Sequence, residues 1–103
     1  MATSVVKYDD FNSDTIESIQ FGIVDMGTGD TEALIEKQIT YEDRGKIPSI
    51  IVGAPQSYEY FEAHAWAARS GLTRTRAIMY IHIINSGNKG SNFYVPYLLV
   101  YTK

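Results

Sequence analysis

Between its turn signals this chain holds short runs in which apolar and polar positions alternate with a period of two. Ile19-Gln20-Phe21-Gly22-Ile23 switches between apolar and polar or small residues, the pattern of a strand with one buried face. Ile35 to Tyr41 does so less regularly. Ser49 to Gly53 is a short β-branched run headed by Pro48, and a strand tolerates proline at its first residue or on an edge. Ala77 to Ile84 places Ile78, Tyr80, His82 and Ile84 on one face and Ala77, Met79, Ile81 and Ile83 on the other. Both faces are largely apolar, which predicts a central strand covered on both sides. Phe93 to Tyr101 is a further run of this kind and closes the chain.

Turn residues separate these runs. Gly27-Thr28-Gly29-Asp30 and the stretch from Asn85 to Asn92 are the strongest breaks, with weaker ones at Glu42 to Lys46, Ala54 to Ser57 and Ser70-Gly71. Tyr58 to Arg69 holds enough alanine for a helix. As a strand it would gather Tyr60, Glu62, His64, Trp66 and Ala68 on one face, and its neighbours favour that reading. Asp9 to Ser18 is polar and acidic, either an extended arm or a short helix capped near Ser13 or Asp14. The pattern predicts an all-β fold: a small antiparallel β-sandwich of about six strands over residues 19–103, preceded by an arm or short helix over residues 1–18.

Length and composition narrow the function. The 103 residues make one domain with one core and leave little room for a deep cleft. There is no cysteine, which excludes disulfides and thiolate metal sites. No apolar run approaches the roughly 20 residues of a membrane helix, and Met1 to Tyr8 lacks the basic flank and apolar core of a signal peptide, so the chain is expected to be soluble and made in the cytoplasm. The net charge is −3, unevenly spread. Met1 to Glu62 carries all twelve acids against Lys7, Lys37, Arg44 and Lys46, whereas Ala63 to Lys103 carries no acid and five bases. Either the two halves interleave and their fields cancel, or a basic face meets an acidic neighbour or an anionic polymer. So few bases in an acidic chain argue against nucleic acid.

Residues able to do chemistry are sparse. His64 and His82 have no acid on their own strands except Glu62, and a zinc site would need carboxylates as its further ligands. The Gly27 to Asp30 loop lacks the lysine and hydroxyl pair of a phosphate loop. Carboxylate pairs drawn from Asp25, Asp30, Glu32 or Glu59 carry no weight in so acidic a half, and no serine sits in a nucleophile-elbow setting. The expectation is a non-enzyme with no cofactor, with a small cytosolic enzyme that uses His64 or His82 as the remaining alternative. Ten aromatic residues from Tyr41 to Tyr101 are many for this core, and those not used as filling suit a subunit interface or platforms for sugar rings.

Gly22-Ile23-Val24-Asp25-Met26-Gly27 resembles the Gly-x-x-Asp-x-Gly opening of H-type lectin domains. Gln38 to Tyr41 followed by Ile47-Pro48-Ser49-Ile50-Ile51-Val52 is similar to that family's strand, gap, proline, strand order. Ala77 to Ile84, the following loop and Val95 to Val100 resemble its last two strands, with Tyr97 as the aromatic of the final one. The resemblance spans about Phe21 to Lys103. It implies a small antiparallel sandwich that assembles as trimers or pairs of trimers, as in animal and slime-mould lectins and in bacteriophage tail-fibre or baseplate proteins. The family's Trp-His sugar-binding pair falls at about Asn85 and Ser86 here and is absent, whereas its aspartate is kept as Asp25. The resemblance implies a virion component that joins other tail proteins and recognises a cell-surface glycan or teichoic acid, or else one that only assembles. Its recognition surface would combine the loops after Met26 and Ile84, with Asp25, Asn85, Ser86 and Asn88, together with Tyr58, Tyr60 and Arg69. Arg74 and Arg76 would join Arg69 against an anionic polymer.

Overall fold

A computed structural model describes residues 15–57, 61–85 and 92–103, together with the backbone of residues 4–8. It contains seven strands: β1 (Ser4–Tyr8), β2 (Ile16–Gly27), β3 (Leu34–Thr40), β4 (Ser49–Val52), β5 (Glu62–Ala67), β6 (Arg76–Asn85) and β7 (Phe93–Thr102). One sheet has the order β1-β2-β7-β4 and the other β3-β6-β5, with every pairing antiparallel. The protein is therefore a small antiparallel β-sandwich, as the alternation predicts.

The period-two pattern is visible in the burial of the long strands. On β6, Ala77, Met79, Ile81 and Ile83 have no exposed surface, and on β7, Phe93, Val95, Tyr97, Leu99 and Tyr101 are buried at alternate positions. These two strands, with Val24 and Met26 of β2 and Ile39 of β3, form the core between the sheets. Each large apolar side chain buried in this way contributes about 1.5–3 kcal/mol, so β6 and β7 carry most of the hydrophobic stabilisation. Small residues tune the layer: Ala63, Ala65 and Ala67 of β5 pack on this core, and Gly22 leaves room for the ring of Tyr97, its register partner, which any Cβ there would overlap.

Pro96 lies inside β7, between β2 and β4, where a proline removes a ladder donor. The Gly53 amide donates to the Pro96 carbonyl at 2.8 Å, so residue 96 turns its backbone polar groups towards β4. The missing N–H therefore falls just past the end of β4 at Val52 and leaves the β2–β7 ladder intact.

Two expectations change and one holds. The segment 1–18 does not stand before the sandwich: Ser4–Tyr8 is a strand paired with β2, and β2 already begins at Ile16. Ladder bonds to β2 hold β1, and polar residues hid the start of β2. Residues 9–14 lie outside those described. The strand reading within Tyr58 to Arg69 holds: Glu62–Ala67 is β5, with Glu62, His64 and Trp66 outward, and residues 58–60 lie outside those described. Finally, β6 is central in its sheet, but only one of its faces is covered; Ile78, Tyr80, His82 and Ile84 are half-buried on the outside of the sandwich.

The acid-rich and acid-free halves interleave, since β7 lies between β2 and β4, and β6 lies beside β3. Ion pairs cross between surface segments, with Arg74 3.5 Å from Asp43 and Lys46 3.4 Å from Glu17.

Candidate functional site

Antiparallel partners share a face, so the register defines what each sheet shows on its outside. On the three-stranded sheet one rung runs Leu34–His82–His64 and the next Glu36–Tyr80–Trp66. Trp66 and Tyr80 stack with centroids 5.6 Å apart and planes 18° from parallel. Trp66 remains 43% exposed because β5 is an edge strand with nothing beyond it among the described residues. The hydrogen bond that Tyr80 donates to Glu36 raises its phenol above the ordinary tyrosine range, with desolvation adding to it. Glu32, at the entry to β3, brings its carboxylate 3.6 Å from His82 Nε2. The face thus presents a flat aromatic pair among carboxylates, imidazoles and Gln38, which suits stacking on a ring with polar groups around it.

The outer face of the four-stranded sheet has a different chemistry. Its rungs are Ile19–Val100–Ser49 and Phe21–Leu98–Ile51, with Ile23–Pro96 beyond them. Ile51 is 55% exposed. An open apolar groove of about 250 Å³ runs among Phe21, Ile51, Gly53, Pro96, Tyr97 and Leu98.

The sequence-predicted site is divided. Asp25, near the end of β2, accepts hydrogen bonds from the Gly27 amide at 2.8 Å and from Asn92 Nδ2 at 2.9 and 3.0 Å. Desolvation pushes its carboxyl up and these hydrogen bonds pull it down, and the group stands below the usual aspartate value. Its geometry is that of a tie between the end of β2 and the start of β7, with Gly27 in the left-handed conformation that closes the turn. Asn85 ends β6 at this same end of the sandwich. Arg69 does not join them: it follows Ala68, whose amide bonds to Ile78, and so lies at the far end of β6, about 25 Å from Asn85 along the strand. The expected surface therefore splits between the two ends. Tyr58, Tyr60, Ser86 and Asn88 lie outside the described residues.

At the Arg69 end, Arg44 packs over the Tyr101 ring at 5.2 Å and donates to Ser18 Oγ at 2.8 Å. Tyr41 donates to the carbonyls of Thr73 and Arg76, 2.7 and 2.8 Å away. Burial, with the neighbouring Tyr101 and Tyr97, pushes its phenol up to about 12.

Sequence reasoning missed the outer face of the three-stranded sheet as a unit. It grouped His64 with Trp66 and Tyr80 with His82, each within its own strand, and the signal that joins the two groups is the eight-residue gap between β5 and β6, since consecutive strands so connected are usually neighbours in a sheet. Among the described residues, no group of three or more His, Asp or Glu side chains is gathered for a metal ion. No protein-family model, curated protein or solved structure matches the chain.

Proposed function

We propose that the protein is a non-catalytic recognition module that binds a neutral glycan on the outer face of its three-stranded sheet. The observation that carries this reading is the stacked Trp66–Tyr80 pair, held on an open, flat face beside Glu36, Gln38 and His64. Sugar rings offer apolar faces for an aromatic platform and hydroxyls for the polar groups around it. Glu32, Glu36 and Glu62 flank the pair, which favours a neutral glycan over teichoic acid on electrostatic grounds. Placement in a phage tail or baseplate, among other tail proteins, is proposed on the resemblance to H-type lectin domains.

Trp66 is the chain's single tryptophan, so its fluorescence reports binding directly. A library of neutral oligosaccharides at millimolar concentration should contain ligands that change this emission. Trp66→Ala should abolish their binding, measured by calorimetry, while leaving the fold intact. If no glycan in the library alters the emission or binds by calorimetry, the recognition reading fails.

A second reading, assembly without a ligand, is favoured by the apolar face of the other sheet, with a second copy of this chain as occupant. The 31 residues of its four strands, at about 3.4 Å each and about 4.8 Å between strands, make a face near 500 Å². Two such faces brought together bury about 1,000 Å², the area a specific interface has to reach. Light scattering after size exclusion should find an oligomer, and Leu98→Lys, which sets a charge in the middle of this face, should give a monomer. A monomer at every concentration in the wild type removes this reading.

A further inference from the structure

The three-stranded sheet ends in two edge strands, β3 and β5, and the two edges are finished differently. The ladder bonds show which backbone groups each edge leaves outward. The Ala68 amide donates to the Ile78 carbonyl at 2.8 Å, so Ala68–Ile78 is a hydrogen-bonded pair, and by the register Trp66–Tyr80 and His64–His82 are too. The backbone N–H and C=O groups of Ala63, Ala65 and Ala67 therefore point away from β6, and none has another partner among the described residues. On β3 the Tyr41 amide donates to the Thr75 carbonyl and the Ile83 amide to the Ala33 carbonyl, both at 2.9 Å. The outward groups there belong to Leu34, Glu36, Gln38 and Thr40.

Sheets blunt an open edge with a charge turned inward, with a proline, or by keeping the strand very short. β3 has the first device, because Lys37 shares the inward parity of Ile35 and Ile39 and yet stays exposed. β4, an edge of the other sheet, has the other two, being four residues long and preceded by Pro48. β5 has none of them: its inward positions are Ala63, Ala65 and Ala67, and it contains neither lysine nor proline. Its bulge falls between Glu62 and Ala63 and leaves Ala63 to Ala67 in regular register. An edge left open in this way accepts another strand.

The edge is also complementary to itself. Two copies set antiparallel about a two-fold axis at Ala65 pair all three outward residues, Ala65 with Ala65 and Ala63 with Ala67 of the second copy, with two hydrogen bonds to each pair. Any other two-fold register sets at least one of the three opposite a residue outside β5. His64 then lies opposite Trp66 of the second copy in the closer, non-hydrogen-bonded pairing, which continues the Trp66–Tyr80 stack across the axis. The charges agree as well. Glu62 falls opposite Ala68 and beside Arg69 of the second copy, and neither Glu62 nor Arg69 has an ion pair among the described residues.

We propose that the β5 edge joins two copies of this chain into one continuous sheet. The pairing depends neither on glycan binding nor on the apolar face of the other sheet. Six residues at about 3.4 Å each make a contact about 20 Å long and one strand deep, well under the roughly 1,000 Å² of a stable interface. The pair therefore forms at about 0.1–1 mM chain and comes apart at the dilution of a size-exclusion column.

The test is sedimentation velocity on Leu98→Lys, in which the other sheet's apolar face is blocked, at up to about 1 mM chain, with thermal melts as the control for folding. A monomer–dimer equilibrium is expected. Ala65→Pro in this background removes an outward N–H and no bond to β6, so it should keep a cooperative melt and weaken pairing by about tenfold or more. Arg69→Glu should weaken pairing by about threefold, and adding Glu62→Arg should restore it, because the two charges have then changed places. This exchange decides the matter if Ala65→Pro does not fold. A monomer at about 1 mM, a dimer that a folded Ala65→Pro leaves as tight as before, or a charge exchange that restores nothing overturns the assignment.

Discussion

The two outer faces of this sandwich are built from strands with the same alternation, yet they differ in what they hold outside. Ile19, Phe21, Ile23, Leu98, Val100 and Ile51 give the four-stranded sheet an outer surface whose middle rungs carry no charged side chain among the described residues. The three-stranded sheet shows Glu36, Gln38, His64, His82 and the Trp66–Tyr80 stack on its outer surface. Water competes poorly for the first face and well for the second. An apolar sheet face gains free energy from being covered by any well-fitting surface. A face of stacked rings and titratable groups gains only from a partner whose polar groups match its own. On the proposed reading, the difference gives assembly to one side of the molecule and selectivity to the other.

The sharpest way to test this contrast is to move a charge from the outside of a strand to its inside. Ile81→Asp would bury an unpaired carboxylate at a position with no exposed surface, and destabilisation should exceed about 4 kcal/mol, enough to unfold a domain of this size. Ile78→Asp, three residues earlier and outward, should cost about 1 kcal/mol or less. Denaturant melts of both variants decide the matter. If the Ile78 variant unfolds too, the outer face of β6 is covered and the distinction between the faces collapses.

That distinction is where the sequence stops being informative. Strand existence was legible in Ala77 to Ile84 and Phe93 to Tyr101, because alternate burial follows from the pleat alone. Which side of β6 meets the core was not legible, since Ile78, Tyr80 and Ile84 are as apolar as the residues that are buried. Hydrophobicity alone cannot separate a covered face from a half-exposed one. The start of β2 at Ile16 was hidden by the polar run before it, and β1 is a strand through its ladder with β2 rather than through its own pattern. The site was less legible still. The contact between Asn92 and Asp25 spans 67 residues, and the pairing of His64 with His82 depends on a register that no local pattern fixes. Arg69 was grouped with Asn85 because charge and loop composition carry no information about which end of the sandwich a turn occupies.

A smaller effect is expected from Gly22→Ala. The added methyl would run into the Tyr97 ring, and core overpacking costs about 1–3 kcal/mol. Tyr97 also borders the apolar groove, whereas the Trp66–Tyr80 face is on the other sheet. The variant should therefore melt earlier and assemble less, with Trp66 emission in the folded state unchanged. A shifted Trp66 emission would show that the two sheets are not separable in this way, and that strain under one face is transmitted to the other.

The smallest effect lies where the two sheets meet, at Tyr41. Its phenol is pushed up to about 12 by burial and by Tyr101 and Tyr97, against about 10 in an unfolded chain. The folded state therefore favours the neutral phenol. The stability linked to this group is fully present below pH 10 and is lost as pH rises from about 10 to about 12. Tyr41→Phe removes a group that donates to the Thr73 and Arg76 carbonyls, so at pH 8 it should cost about 1 kcal/mol. Between pH 10 and 12 the variant should lose stability less steeply than the wild type, because one titrating group is gone, and the two curves should converge. Tyr80, whose phenol is also raised, remains in both proteins and cancels in the difference. Parallel curves across that range would mean that the Tyr41 phenol ionises freely in the folded protein. The sheets would then be open to water at this end, and the two outer faces could no longer be treated as sides of one closed layer.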